Sequence, residues 1–269
     1  MNQNPIVAAI QMNSQDNVTD NLGLAAQLIQ GAVLAGAQFI LLPEYFCFMG
    51  KTDAERVALG EPYKDGQIQT FIATLAKKHG VWISAGTIPL VSPEPQKVYN
   101  SNLLFNDLGV CVGRYDKIHL FGFDNGNESY AEADTLAYGS QIQTFSTPVG
   151  KIRPSVCYDL RFPEMYRQAP AYQVITMPAA FTYTTGEYHW ETLLKARAIE
   201  NQSYVIAAAQ TGVHPSGKST FGHSMIIDPW GRVIAQQESE NGFVIAELDF
   251  EYLNKVRSDL PALKNRVFY

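Results

Sequence analysis

Short apolar runs alternate along the chain with segments of helical periodicity. PIVAAIQM (5–12) and QFILLPE (38–44) are rich in small and β-branched residues, and each has the length of a buried strand. Between them Leu22, Ala25, Ala26, Ile29 and Val33 recur at helical spacing, with Asp20 and Asn21 offering N-cap oxygens and Gly36 a stop. The unit reads strand, helix, strand. In a parallel sheet its loops gather at one edge, and Glu44 lies there. A helix over 67–79 leads to a third strand in VWISAGTIP, ending near Gly86. VYNSNLLFNDLGVCVGRYDKIHLF predicts a hairpin turning at 106–109, with Lys117 just past its second strand. QTFSTPVGKIRPSVCYD turns at 148–150 and delivers Cys157 at a strand end, and a helix starts from Phe162. A strand in YQVITMP, a helix from about 188 to 202, a strand in SYVIAAAQ, a hairpin around Pro229, Trp230 and Gly231, and GFVIAELD complete the pattern. The longest irregular stretch, 122–140, follows Lys117 directly, and loops of that length usually carry function.

Composition narrows the class. With 269 residues, 46% hydrophobic and 17% charged, the chain can bury a full core as one α/β domain. A net charge of -6 argues against nucleic acid as a partner, because phosphate binding rests on clustered Lys and Arg. Cys47, Cys111 and Cys157 are odd in number and widely spaced, which fits neither a disulfide framework nor a zinc site and points to a reducing cytoplasm. The N-terminus lacks a basic leader region, and no apolar run approaches the 18 or so residues of a membrane span, so a soluble protein without a membrane partner is expected. His189, His214 and His223 show no HExxH or paired spacing, so no metal is expected. GKST at 217–220 is set aside as a phosphate loop because no βαβ unit of the right kind precedes it. No cofactor is called for.

Glu44, Lys117 and Cys157 each follow a strand at its C-terminal end, and such ends converge on one crevice. Singly, none is specific: buried cysteines are often inert, an acid after proline often caps a helix, and a lysine after a strand is usually solvated. Together they suit acyl transfer from an amide or nitrile. A carboxylate takes the thiol proton, an ammonium favours the thiolate and, with the backbone N–H after Cys157, holds the oxyanion. The same carboxylate then protonates the leaving amine and activates the water that opens the thioester.

Around these residues the chain resembles the carbon-nitrogen hydrolase (nitrilase) superfamily, in its Nit-type amidase branch. LLPEY resembles the segment of the family's catalytic glutamate, GRYDKIHLF that of its lysine, and VCYDLRFPE that of its nucleophilic cysteine; HWETLLKARAIENQSYVIAAAQ and GHSMIIDPWG extend the match over nearly the whole length. The resemblance implies an αββα four-layer sandwich, a homodimer, and a second glutamate after the lysine: Glu132 in SYAEAD, with Glu128 the alternative. Gly122 stands where relatives usually carry Asp. RFPE, the HW at 189–190 and GVHPSGKSTFGHSMIIDPWG look most like the enzymes acting on deaminated glutathione, a small amide of a 2-oxo dicarboxylate. On that reading Arg161 pairs a substrate carboxylate, an ion pair with Asp159 or Glu164 being the alternative, and Tyr158, Tyr183 and Thr185 line the pocket. An ω-amidase for 2-oxoglutaramate, a nitrilase, and a non-catalytic interaction protein on the same fold are the rival readings.

Overall fold

The computed structural model describes residues 4–168 and 172–267; the first three residues of the N-terminus lie outside them. The chain opens with β1 (Ile6–Gln11), α1 (Val18–Leu34) and β2 (Phe39–Leu41), then α2 (Asp53–Val57), α3 (Gln67–His79), β3 (Trp82–Ser84), β4 (Ile88–Val91), β5 (Val98–Phe105) and β6 (Cys111–Asp116). A small hairpin follows, β7 (Gly122–Asp124) with β8 (Ser129–Ala131), and then β9 (Leu136–Ala137). The second half runs β10 (Phe145–Thr147), β11 (Gly150–Pro154), α4 (Pro163–Arg167), β12 (Val174–Ala179), α5 (Tyr183–Asn201) and β13 (Tyr204–Ala209). It ends with β14 (Thr211–Val213), β15 (Ser219–Phe221), β16 (Ser224–Ile227), β17 (Val233–Gln237), β18 (Gly242–Glu247) and α6 (Phe250–Asp259).

These strands make two main sheets, one ordered β18-β1-β2-β3-β5-β4 with β6 and β9 also on β5, the other β10-β11-β12-β13-β16-β17. Side chains alternate between two cores. On β1 and β2, Val7, Ala9, Phe39 and Leu41 face the second sheet, meeting Val174, Tyr204, Ile206 and Ala208. Their neighbours Ala8, Ile10 and Ile40 face α1 and α3, with Ala25, Ile29 and Ile72. The second sheet repeats the arrangement, since Ile175, Met177, Val205 and Ala207 pack with Trp190, Leu194 and Ala198 of α5. The result is the αββα sandwich. β18 returns after the second sheet is complete to pair antiparallel with β1.

Three expectations change. α1 begins at Val18, capped by Asn17, whose side chain accepts from the Asp20 N–H; Asn21 instead lies buried and donates to the carbonyls of Gln15 and Cys47. α5 begins at Tyr183 rather than near 188, because the Thr182 hydroxyl caps it by accepting from the Thr185 N–H. The stretch 122–140 is ordered: it forms the β7–β8 hairpin, a 3₁₀ turn at Glu132–Asp134, and β9, which pairs with β5. The GxxxxGKS stretch from Gly212 to Ser219 spans the end of β14, the turn after it and the start of antiparallel β15, and leads into no helix.

Candidate active site

The three strand-end residues meet in one crevice. Glu44 and Lys117 are completely buried, and the Lys117 ammonium donates to Glu44 Oε1 at 2.9 Å. The rest of the Glu44 carboxylate is also held: Asn100 Nδ2 donates to Oε1 and the Ala180 N–H to Oε2, each at 2.8 Å. Gln210 Nε2 donates to the Glu44 carbonyl at 2.9 Å. The backbone that carries Glu44 is equally constrained. Gly86 has φ +44°, and a Cβ there would lie 1.9 Å from the Pro43 carbonyl oxygen, so only glycine lets the two loops pass.

Glu132, rather than Glu128, adjoins the pair. Its two carboxylate oxygens accept from Lys117 Nζ at 2.9 and 2.7 Å, from the Tyr45 hydroxyl at 2.7 Å and from the Phe121 N–H at 2.7 Å. Glu128 lies on the surface and accepts from Thr184 instead. The 3₁₀ turn after β8 is what brings Glu132 inward.

Cys157 opens a 3₁₀ turn, Cys157–Arg161, three residues past Pro154 at the end of β11, and its φ of +48° is unusual for a residue with a side chain. Asp159 fixes this turn by accepting from the Val156 N–H at 2.8 Å, the Tyr115 hydroxyl at 2.6 Å and the His119 N–H at 3.0 Å. Asp159 is thereby occupied without Arg161. Arg161 donates to His189 Nδ1 at 3.2 Å and lies over the Phe181 and Tyr158 rings. The ion pair with Asp159 or Glu164 is not the arrangement seen.

Electrostatics set the resting protonation states. Burial, and then the Glu44 charge, push the Cys157 thiol well above its ordinary value. One ammonium does not offset burial plus two carboxylates, so Cys157 rests as the neutral thiol, not the thiolate the sequence suggested. Burial also raises Glu44, against the pull of Lys117. Burial would lower Lys117, but Glu132 and Glu44 hold it well above the usual lysine value and keep it charged. Cys47 is pushed up to about 12 chiefly by burial and sits in the first core; Cys111 is half-buried beside Tyr63.

Cys157 stands between two compartments. A narrow one of about 10 Å³ is lined by Tyr158, Arg161, Phe181 and Thr185, with Phe121 and Ala180 beside Cys157. A wider cleft of about 200 Å³, open to solvent, is lined by Tyr45, Arg56, Tyr130, Glu132, His214 and Lys218, among others. Tyr183 lines neither: as the first residue of α5 it packs edge-on against Phe221 and stays 53% exposed. His223 holds the fold, its Nδ1 facing the Phe221 carbonyl and its carbonyl accepting from Trp190. Asn100, Tyr45 and Arg56 were missed by the sequence reading; an asparagine pair inside the apolar run VYNSNLLF was the available signal for the first. Among the described residues no His, Cys, Asp and Glu group could hold a metal ion, and no helix is long and apolar enough to cross a membrane.

Fold and site together define a hydrolase of carbon-nitrogen bonds: the carbon-nitrogen hydrolase family model matches residues 6–258, and the chain belongs to that family. Within it, the chain is similar to the deaminated glutathione amidases of Synechocystis sp., 42% identical over 98% of this chain and 98% of that protein, and of Yersinia enterocolitica, 38% identical over 99% of this chain and 94% of that one. Nit3 of Saccharomyces cerevisiae, a member of branch 10 of the nitrilase superfamily, superposes with a TM-score of 0.89 at 30% identity, covering 99% of this chain and 97% of its own.

Proposed function

We propose that this enzyme hydrolyses deaminated glutathione at its 2-oxoglutaryl amide, with Cys157 as nucleophile, Glu44 as general base and acid, and Lys117 as oxyanion donor. The observation that carries the reading is the position of Cys157 between a narrow compartment containing Arg161 and the buried Glu44–Lys117–Glu132 cluster. The similar enzymes named for this substrate support the choice of amide.

Attack begins with proton transfer. Glu44 removes the Cys157 proton as sulfur adds to the carbonyl carbon, so charge moves onto the substrate oxygen without a free thiolate accumulating. An ammonium has three protons, and Lys117 spends them on Glu44 and the two oxygens of Glu132; a shift of Glu132 to monodentate contact frees one for the oxyanion, beside the Tyr158 N–H. Glu44 returns its proton to the departing nitrogen, the C–N bond breaks, and a thioester and a free amine result. Water, deprotonated by Glu44, opens the thioester to the acid and restores the thiol.

Arg161 sits in the narrow compartment with its guanidinium over Phe181 and Tyr158, placed to pair the 2-oxo acid's carboxylate, while Tyr158 and Thr185 shape the walls. Tyr183 is left out of this assignment. The working form is a homodimer in the cytoplasm, which the exposed apolar side chains Tyr188 and Ile199 on α5 and Trp230 on the neighbouring turn support. The test is side-by-side turnover of deaminated glutathione and 2-oxoglutaramate, with Cys157→Ala as control. Preference for the former upholds the reading; preference for the latter replaces it with an ω-amidase; turnover of neither overturns the substrate assignment.

A further inference from the structure

The wide cleft carries positive charge that the chemistry just described does not use. Its two acids are already engaged: Glu132 by Lys117, Tyr45 and Phe121, and Asp53 by Arg56 Nη2 at 3.0 Å. Facing them are Lys51 and Lys218, beside Arg56, whose charge Asp53 already pairs. Arg56 is only 7% exposed, its guanidinium lies 3.7 Å from the centroid of the Tyr45 ring, and its Nε is buried with no hydrogen-bond partner. A buried donor without a partner is costly, and a ligand that supplies an acceptor removes that cost. Lys218 stands on the β14–β15 turn, its ammonium 3.9 Å from the Tyr130 ring centroid and donating to the Ser129 carbonyl at 3.2 Å. That leaves two of its protons for something in the cleft.

We infer that Arg56 and Lys218 bind the carboxylate of the leaving amine, so that substrates are selected on both sides of the scissile bond. The inference rests on the proposed function. If Arg161 takes the acyl-side carboxylate in the narrow compartment, the amine portion must leave Cys157 through the wide cleft, since the nucleophile borders both. In deaminated glutathione that portion is a cysteinyl-glycine, whose terminal carboxylate is separated from the scissile nitrogen by a dipeptide. The cleft therefore has a length requirement as well as a charge. An ω-amide that releases only ammonia places nothing there. Arg56 and Lys218 thus decide specificity without touching the reacting atoms.

The experiment compares deaminated glutathione with its C-terminal carboxamide, which keeps the length and loses the charge. Wild-type kcat/KM should favour the acid by roughly tenfold or more, the scale of a charge-assisted hydrogen bond at a partly buried site. In Lys218→Met that acid-to-amide ratio should fall toward one through KM, with kcat little altered on either substrate. Arg56→Gln should lower the ratio as well, but its contact with Tyr45 makes Lys218→Met the decisive variant. Calorimetric binding of the two compounds to Cys157→Ala gives the same ratio free of turnover. An equal preference for acid and amide in the wild type, or a ratio unchanged in Lys218→Met, overturns the inference while leaving the amidase reading intact. Selective binding of the acid to Cys157→Ala without turnover by the wild type does the reverse.

Discussion

The state of each side chain proposed for catalysis is set by what its neighbours deny it. Cys157 is held neutral by burial and by two carboxylates, so its removal takes the acyl acceptor and little volume: Cys157→Ala should retain the fold by circular dichroism and show no turnover above background. Lys117→Met should cost at least about 100-fold in kcat, the scale of losing one oxyanion donor; an unaltered rate would assign the oxyanion to other groups. If Glu44 is the base, the acid limb of kcat/KM should report it. Because burial raises its pKa above the ordinary 4.5, and only the ionised form accepts the thiol proton, activity should fall as pH drops through an inflection above that value. Cys157 and Lys117 titrate well above 9.0 and 10.5, so neither should produce an alkaline limb at neutral pH. An inflection at or below 4.5 would exclude Glu44 as the base. The strand ends made Glu44, Lys117 and Cys157 candidates in the sequence, and the motifs LLPEY, GRYDKIHLF and VCYDLRFPE singled them out. Asn100 and Arg56 were not, since an asparagine within a strand and an arginine in TDAERV look like solvated positions until Glu44 and Tyr45 are seen beside them.

At the scale of elements, turns rather than strands aim the chemistry. The Pro43–Glu44 segment is pinned against the glycine bend after β3, and Gly86→Ala forces the two backbones apart. That substitution should destabilise by about 1–3 kcal/mol in thermal melting and lower kcat further than the stability loss explains, because Glu44 rides on the displaced segment. Thr182→Ala removes the α5 cap and should cost about 1 kcal/mol. The early start of α5 escaped the periodicity because YTTGE, with two threonines and a glycine, offers few apolar positions to mark a face; the cap threonine was the better signal. The 122–140 stretch was read as irregular for a related reason. Strands of two or three residues are too short to show alternation.

At the scale of the molecule, strand order along the chain was legible and the layering was not. β1, β2, β12 and β13 are buried on both faces, so they read as unbroken apolar runs that do not say whether the second face meets helices or another sheet. The family resemblance supplied that. The apolar surplus at Tyr188, Ile199 and Trp230 is the basis for the proposed dimer: Trp230→Arg should shift sedimentation toward monomer, and an unchanged coefficient would overturn a dimer contact at this patch. Glu44 extends from the first sheet, yet its carboxylate is held by the Ala180 N–H just past β12 and its carbonyl by Gln210 just past β13, both in the second. Glu44 is thus a rivet through both halves of the sandwich. During synthesis the first half emerges without the partners that orient Glu44 and without Cys157, so no nascent half-enzyme exists, and fragments 1–140 and 141–269 should be silent alone and regain turnover only when mixed.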